Sequence, residues 1–298
     1  MQKIHPLGDS YFSGAGGLDL GLLEAGCDLQ QSLDLDQAAT DSMKRNTRYF
    51  RHEVRREDIA QKRVLDRDRP DFMAFTYPCT KYSTIADIHS ARTGDELYCH
   101  ALRHIAIRQP RAYVLENVPG MKKFPVVMEA MTQLPDYYIN VFCPVEASNW
   151  LPQKRKRLIV IGTRTPFRID PPQPERKRIT IKDIIELEAK VHVPDCVVAR
   201  IEGKYRDKPI VVDPDDPEAL APTCVAHYAK DMGTRLVKDK QYKYGMRPFS
   251  IREYARLQGF PDDYHFEDKV SSYRLIGNAV PVHMGRWIGQ QLVKYFNQ

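Results

Sequence analysis

The absences narrow this chain first. No apolar run approaches the roughly 20 residues that a helix needs to cross a bilayer, so no membrane partner is expected. No charged-then-apolar leader opens the sequence, which argues against secretion. Repeats and low-complexity tracts are missing. The cysteines at 27, 79, 99, 143, 196 and 224 form no C-x-x-C pair, so a zinc ribbon or a thioredoxin-like motif lacks support. An intracellular chain of this length has little need of disulfides, and reduced thiols are expected. His100 and His104 lie four apart on one stretch, beside Cys99. No Glu follows His100 and no third ligand suggests itself, so no metal is expected. A large charge excess is absent as well: 45 basic residues stand against 39 acidic ones, a net +6.

What is there is an ordinary soluble composition, 42% apolar and 28% charged over 298 residues. That length supports one large domain or two modest ones with a sizeable core. The basic residues cluster at Lys154–Arg157 and Arg176–Arg178. Such clusters suit phosphate contact; a solvated surface explains them equally well.

The first half alternates strands and helices. Residues 27–36, 72–78, 112–118, 137–145 and 157–164 read as strands, and 17–26 and 95–109 as helices. In the second helix Leu97, Ala101, Leu102 and Ile105 would make the apolar face. Alternation of this kind predicts an α/β fold, a mostly parallel sheet covered on both sides. Beyond Thr165 proline becomes dense and the strands short, through about Gly245. Periodic helix returns over 249–264, where Ser250 and Glu253 fit a capping box, and a last helix is expected from about Pro281 to Phe296.

Several segments could carry chemistry. "YFSGAGGLDLGLLEAG" (11–26) is a strand end, a glycine turn and a helix start, suited to close approach of a ligand. It lacks the G-x-G-x-x-G spacing. Asp34 and Asp36 stand at the end of the next strand, where a carboxylate would hold ribose hydroxyls, and Asp58 follows the third strand, where it could accept from an adenine amino group. These favour a nucleoside-bearing cofactor over mere packing. "FTYPCTKYS" (75–83) sets Cys79 directly after Pro78 at a strand mouth, and "ENV" (116–118) ends another strand. In a parallel sheet Cys79 and Glu116 leave at the same edge, where a thiolate could attack a carbon and a carboxyl could serve a ring nitrogen. Arg155 and Arg157 lie two apart before a strand and so should point the same way.

In order, YFSGAGG, LDLD, EDI, YPC…YS, LENV, QKRKR, RPFSIREYARLQGFPDDY and IGNAVP resemble the cytosine-C5 DNA methyltransferase family, from about Tyr11 to the C-terminus. The resemblance implies a Rossmann-like methyltransferase domain with a small irregular target-recognition domain and a cleft between them: residues 1–165, then 166–246, then C-terminal motifs over 247–298 whose helix returns to the catalytic domain. It implies S-adenosyl-L-methionine as cofactor, with Phe12, Gly14, Gly16, Gly17, Leu18, Asp34, Asp58, Pro78, Asn278 and Val280 at its site. Cys79 would be the nucleophile that adds to C6 of a flipped-out cytosine, Glu116 the partner of N3, and Arg155 and Arg157 the active-site arginines. Departures are visible. Thr80 and Lys81 follow the cysteine where the family usually has Gln, and Tyr82 stands where Phe is common. Asp34 replaces the family's Glu, Leu35 replaces a bulky aromatic, and "HPLGDS" is an unusually polar first strand.

The expected partner is double-stranded DNA, bound by a monomer, and the expected location is cytoplasmic and nucleoid-associated, for a prokaryotic or phage-encoded protein. Three other readings stay open: a tRNA or RNA cytosine-5 methyltransferase, a non-catalytic DNA-binding relative, and a nicotinamide-dependent oxidoreductase. The RNA branch's Cys-Phe-Thr tripeptide is absent. The oxidoreductase would explain only the glycine turn and the acidic strand end.

Overall fold

The computed structural model describes residues 3–78, 97–204, 206–207, 209–267 and 269–298. These residues divide into two compact units. The first comprises residues up to 146 together with 156–172 and 284–298; the second comprises 147–155 and 173–283.

The first unit is built on a seven-stranded sheet. Its strands are β1 (Leu7–Tyr11), β2 (Asp28–Asp34), β3 (Glu53–Arg56), β4 (Phe72–Phe75), β5 (Ala112–Asn117), β6 (Tyr138–Glu146) and β8 (Lys156–Thr163), in the spatial order β3-β2-β1-β4-β5-β8-β6. All neighbours are parallel except at β8, which runs antiparallel to both β5 and β6. The sequence expectation of a mostly parallel sheet therefore holds. Its central strands are apolar without alternation, as a sheet covered on both faces requires: every residue of β4 and β5 is buried.

Helices α1 (Gly17–Glu24), α2 (Gln37–Arg45), α3 (Leu97–Arg108) and α4 (Pro125–Thr132) follow β1, β2, β4 and β5. Ala101 and Ile105 of α3 and Val127 and Met131 of α4 pack with Tyr11, Met73, Phe75, Tyr113 and Leu115 of the sheet. The expected apolar face of α3 forms: Ala101 and Ile105 are buried, Leu97 and Leu102 are half-buried against the same core, and His104 and Arg108 join them on the inward side. They do so because β1 is polar inside: Asp9 is fully buried, with Arg108 Nη2 4.0 Å from its Oδ2. Burial pushes the Asp9 carboxyl up, opposed by Gln31 and Gln30.

His104 lies against the rings of Tyr11 and Phe75. Burial first, then the Arg103 and Lys62 cations, push its imidazole down to about 3. An unfolded histidine titrates near 6.5, so below about that pH the unfolded chain binds a proton that the folded chain refuses, and stability falls as pH falls. His104→Phe is expected to flatten the loss of thermal stability between about pH 7 and pH 5. An unchanged slope in melting experiments would show that another group carries it.

The second unit contains β7 (Gln153–Lys154), β9 (Ile210–Val212), β10 (Ala221–Pro222), β11 (Arg235–Lys238) and β12 (Met246–Arg247), with helices α5 (Ile181–Ile184), α6 (Asp195–Glu202), α7 (Ile251–Leu257) and α8 (Val270–Asn278). The helix expected over 249–264 stops at Leu257, where Gly259 takes a positive φ of 81°. Ser250 and Glu253 do form the capping box. Glu253 also accepts two 2.7 Å bonds from the fully buried Arg247, whose Nε donates to Asp239. Helix α9 (Val282–Phe296) is the expected last helix. A Cβ at its Gly285 would lie 2.6 Å from the Leu18 carbonyl, so the small residue lets α9 close on α1.

Candidate active site

The C-terminal edge of the sheet carries the candidate residues of the first unit. After β1 the chain turns sharply: Phe12, Gly14 and Gly16 have φ of 62°, 57° and 74°. Glycine adopts such angles freely; Phe12 does so under strain. The turn is held from three sides. Thr76 Oγ1 donates to the Phe12 carbonyl at 2.7 Å, Ser13 N–H donates to Leu33 O at 3.0 Å, and Gly14 N–H donates to Asp34 Oδ2 at 2.8 Å. The other Asp34 oxygen accepts from Asp36 N–H at 2.8 Å. Burial pushes the Asp34 carboxyl up, and those two amides oppose the shift. Each oxygen keeps a lone pair for a further donor.

A Cβ built on Gly14 meets no atom within 4 Å, whereas one on Gly16 would strike the Phe50 ring at 2.5 Å. Gly14 thus leaves open space beside the Asp34 carboxylate, and Gly16 serves packing. Gly17 and Leu18 are buried in the start of α1. Leu35, beside Asp34, is 60% exposed. Asp58 follows β3 and caps a turn, its Oδ1 accepting from Ala60 N–H at 2.9 Å. Open space, a carboxylate at the β2 end and a second after β3 suit a ligand bearing hydroxyls and amino groups.

Sequence reasoning missed what holds the Asp58 loop. Arg103 donates to Ile59 O and Lys62 O, and Arg108 donates to Val64 O, Arg67 O and Asp68 O. Helix α3 thereby grips residues 59–68 by their carbonyls. No helical spacing marks them, because i and i+5 lie about 140° apart around a helix. By pattern alone they read as surface charge.

Next along the edge, β5 ends in Glu116 and Asn117, both buried. Arg157 Nε lies 2.7 Å from Glu116 Oε1, with side chains 12% and 8% exposed. The pairing of β5 with β8 makes this contact, because Glu116 faces Ile159 and Asn117 faces Leu158 in register. Asn117 Nδ2 donates to Tyr77 O at 3.1 Å, and its Oδ1 accepts from Val118 N–H. This asparagine anchors the residue before Pro78, a role that sequence reasoning missed. Pro78 is exposed. Cys79 lies outside the described residues.

Arg155 and Arg157 do not point the same way, contrary to the strand-alternation argument. Arg155 falls in neither strand, since β7 ends at Lys154 and β8 begins at Lys156. Its guanidinium stays within the second unit, where Nη1 donates to Cys224 O at 2.7 Å and Nη2 to Gly277 O and Ala279 O at 3.1 and 2.8 Å. Gln258 Nε2 donates to Ile276 O and the same Ala279 O. The turn carrying Asn278 is therefore gripped by two side chains. Asn278 itself is exposed and Val280 is buried. Among the described residues, no cluster of three or more His, Cys, Asp or Glu side chains could hold a metal.

The family model described as C-5 cytosine-specific DNA methylase matches residues 8–294, and the chain belongs to that family. It is 29% identical to the type II methyltransferase M.Sau96I of Staphylococcus aureus, across 96% of this chain and 75% of that protein. Identity to the type II methyltransferase M.MthTI of Methanothermobacter thermautotrophicus is 24%, across 96% of each. Among solved structures, the Entamoeba histolytica methyltransferase EhMeth matches with a TM-score of 0.81 at 18% identity, covering 99% of this chain and 100% of that one. The S. pombe Dnmt2 methyltransferase matches at 0.75 and 17%, with the same coverage. These structural likenesses speak to the fold: an α/β methyltransferase fold with a large, parallel-dominated sheet.

Proposed function

We propose that this DNA methyltransferase transfers a methyl group from S-adenosyl-L-methionine to C5 of a cytosine swung out of duplex DNA, through a transient bond between Cys79 and C6. The observation that carries the reading is the buried Glu116–Arg157 contact at the sheet edge. It ends the strand next to β4, and β4 leads through Thr76 and Tyr77 to the Pro78–Cys79 step.

Each residue has a task. The Cys79 thiolate adds to C6, which makes C5 enamine-like. Glu116 serves N3 of the ring and so stabilises the adduct, and Arg157 fixes the Glu116 carboxyl while offering its remaining N–H groups to the base. Loss of the C5 proton to a base then allows the thiolate to leave. A thiol has an ordinary pKa of about 8.5, so cationic groups near it favour the reactive form. The cofactor supplies an electrophilic sulfonium methyl. Phe12, Gly14, Gly16, Gly17, Leu18, Asp34, Asp58, Pro78, Asn278 and Val280 would hold it. Arg155 acts at one remove, by holding the carbonyls on either side of Asn278. A base stacked in a duplex cannot reach a thiol in a pocket, which is why extrusion is part of the reading. Residues 166–246 are proposed as the target-recognition region, with the bacterial relatives' restriction-modification setting as its context and a monomer as the acting form.

Two measurements test this. S-adenosylhomocysteine at about 100 times its dissociation constant should stabilise the protein by about 2.7 kcal/mol, read as a rise in melting temperature; no rise would reopen the oxidoreductase reading. Bisulfite sequencing of DNA from cells expressing the chain should show protected cytosines within one short motif. Unmodified DNA together with methylated tRNA would move the substrate to RNA.

A further inference from the structure

Beneath the glycine turn, five polar side chains form a hydrogen-bonded chain that the proposed reaction does not use. Ser13, which lies within the turn, donates its hydroxyl to Ser10 Oγ at 3.0 Å. Ser10 donates to Asp19 Oδ1 at 2.5 Å, and Ser32 donates to Asp19 Oδ2 at 2.6 Å. His52 Nε2 lies 2.7 Å from Ser32 Oγ. The Ser32 hydrogen is given to Asp19, so the imidazole is the donor at that contact, with its proton on Nε2.

The chain crosses three elements. Ser10 is on β1, Asp19 on the first turn of α1 and Ser32 on β2. Ser10 faces α1 because it alternates with Asp9 and Tyr11, which face α3. Asp19 and Ser32 are fully buried, and Ser10 and Ser13 are 1% and 6% exposed. Burial pushes the Asp19 carboxyl up, while the hydroxyls of Ser10 and Ser32 hold it down. A buried carboxylate is costly unless such donors surround it. An apolar side chain would fill this space at less cost, so the network calls for a reason beyond stability.

We propose that Asp19, acting through Ser10 and Ser13, is a positioning residue for the cofactor turn. The carboxylate fixes Ser10, and Ser10 draws the Ser13 side chain inward. With that side chain seated, the backbone holds the strained φ at Phe12, and the Gly14 amide meets Asp34. Without it, the turn relaxes and the Asp34 carboxylate loses its place. This inference rests on the cofactor reading of the turn and assigns a role to residues outside that site.

The test uses the full chain, Ser13→Ala and Ser10→Ala, with Ile161→Val as a control that trims a buried residue of β8 away from the network. Calorimetry with S-adenosylhomocysteine should show an affinity loss of about fivefold in each serine variant, the loss of one buried hydrogen bond. The KM for the methyl donor should rise in step, with kcat changing less. Hydrogen exchange in the ligand-free protein should speed up at the Ser13 and Gly14 amides. Ile161→Val should lower the melting temperature while leaving affinity and those amides unchanged. Unaltered amide exchange in both serine variants overturns the positioning role by itself, as does an affinity loss that Ile161→Val matches. Absence of any heat with the unaltered protein would instead defeat the cofactor reading and carry this proposal with it.

Discussion

Cys79→Ala should reduce methyl transfer by roughly 10⁴-fold or more while duplex DNA binding persists. The size of the effect follows from the role proposed for the thiolate. Cytosine C5 is a poor nucleophile until a group adds at C6, and a methyl side chain has no lone pair to add. A cysteine that merely packed would give a different result, since alanine is close to it in size and activity would survive. Radiolabelled methyl incorporation, with a mobility-shift assay on the same preparation, separates the two. Full turnover in the variant would refute the nucleophile assignment.

The second large effect is expected at Glu116. Glu116→Gln preserves shape and can still accept from the Arg157 guanidinium, now 2.7 Å from the carboxylate. It removes the charge and the proton that the carboxyl can offer to N3. General acid–base groups contribute about 10²- to 10⁴-fold, so kcat should fall within that range, with S-adenosylhomocysteine affinity unchanged. Arg157→Leu is a harsher change. It takes the guanidinium from a carboxylate that is largely buried, and breaking a buried pair costs about 3–5 kcal/mol. The glutamine variant should therefore remain folded where the leucine variant melts early. A glutamine variant with normal kcat and a raised KM would place Glu116 in binding alone.

Much of the first unit is legible in the sequence. The apolar runs of β4 and β5, the glycine turn after β1 and the carboxylate ending β2 announce themselves by composition and order. The succession of motifs from YFSGAGG to IGNAVP points to the family unaided. What stays hidden depends on long-range contacts. Asp9, Asp19 and His104 look like surface residues to any pattern argument, yet each is fully buried, because a partner from another element satisfies or surrounds it. Arg155 and Arg157 look equivalent, since alternation assumes an unbroken strand. The chain leaves β7 at Lys154 and enters β8 at Lys156, with Arg155 in neither, so one guanidinium meets carbonyls and the other a carboxylate. Asn117 carries no signal of its own, because its partner is a backbone carbonyl 40 residues away.

The proposed catalysis depends on one sulfur bonding to one ring carbon, and trapping that bond is the most direct test. A duplex with 5-fluorocytosine at the methylated position blocks the step that frees the enzyme, because fluorine cannot leave C5 as a proton does. Incubated with methyl donor and digested, the protein should yield a single peptide, spanning position 79, that carries the nucleotide in mass spectra. A duplex that acquires methyl groups with no adduct at Cys79, or with an adduct on a different residue, would contradict it.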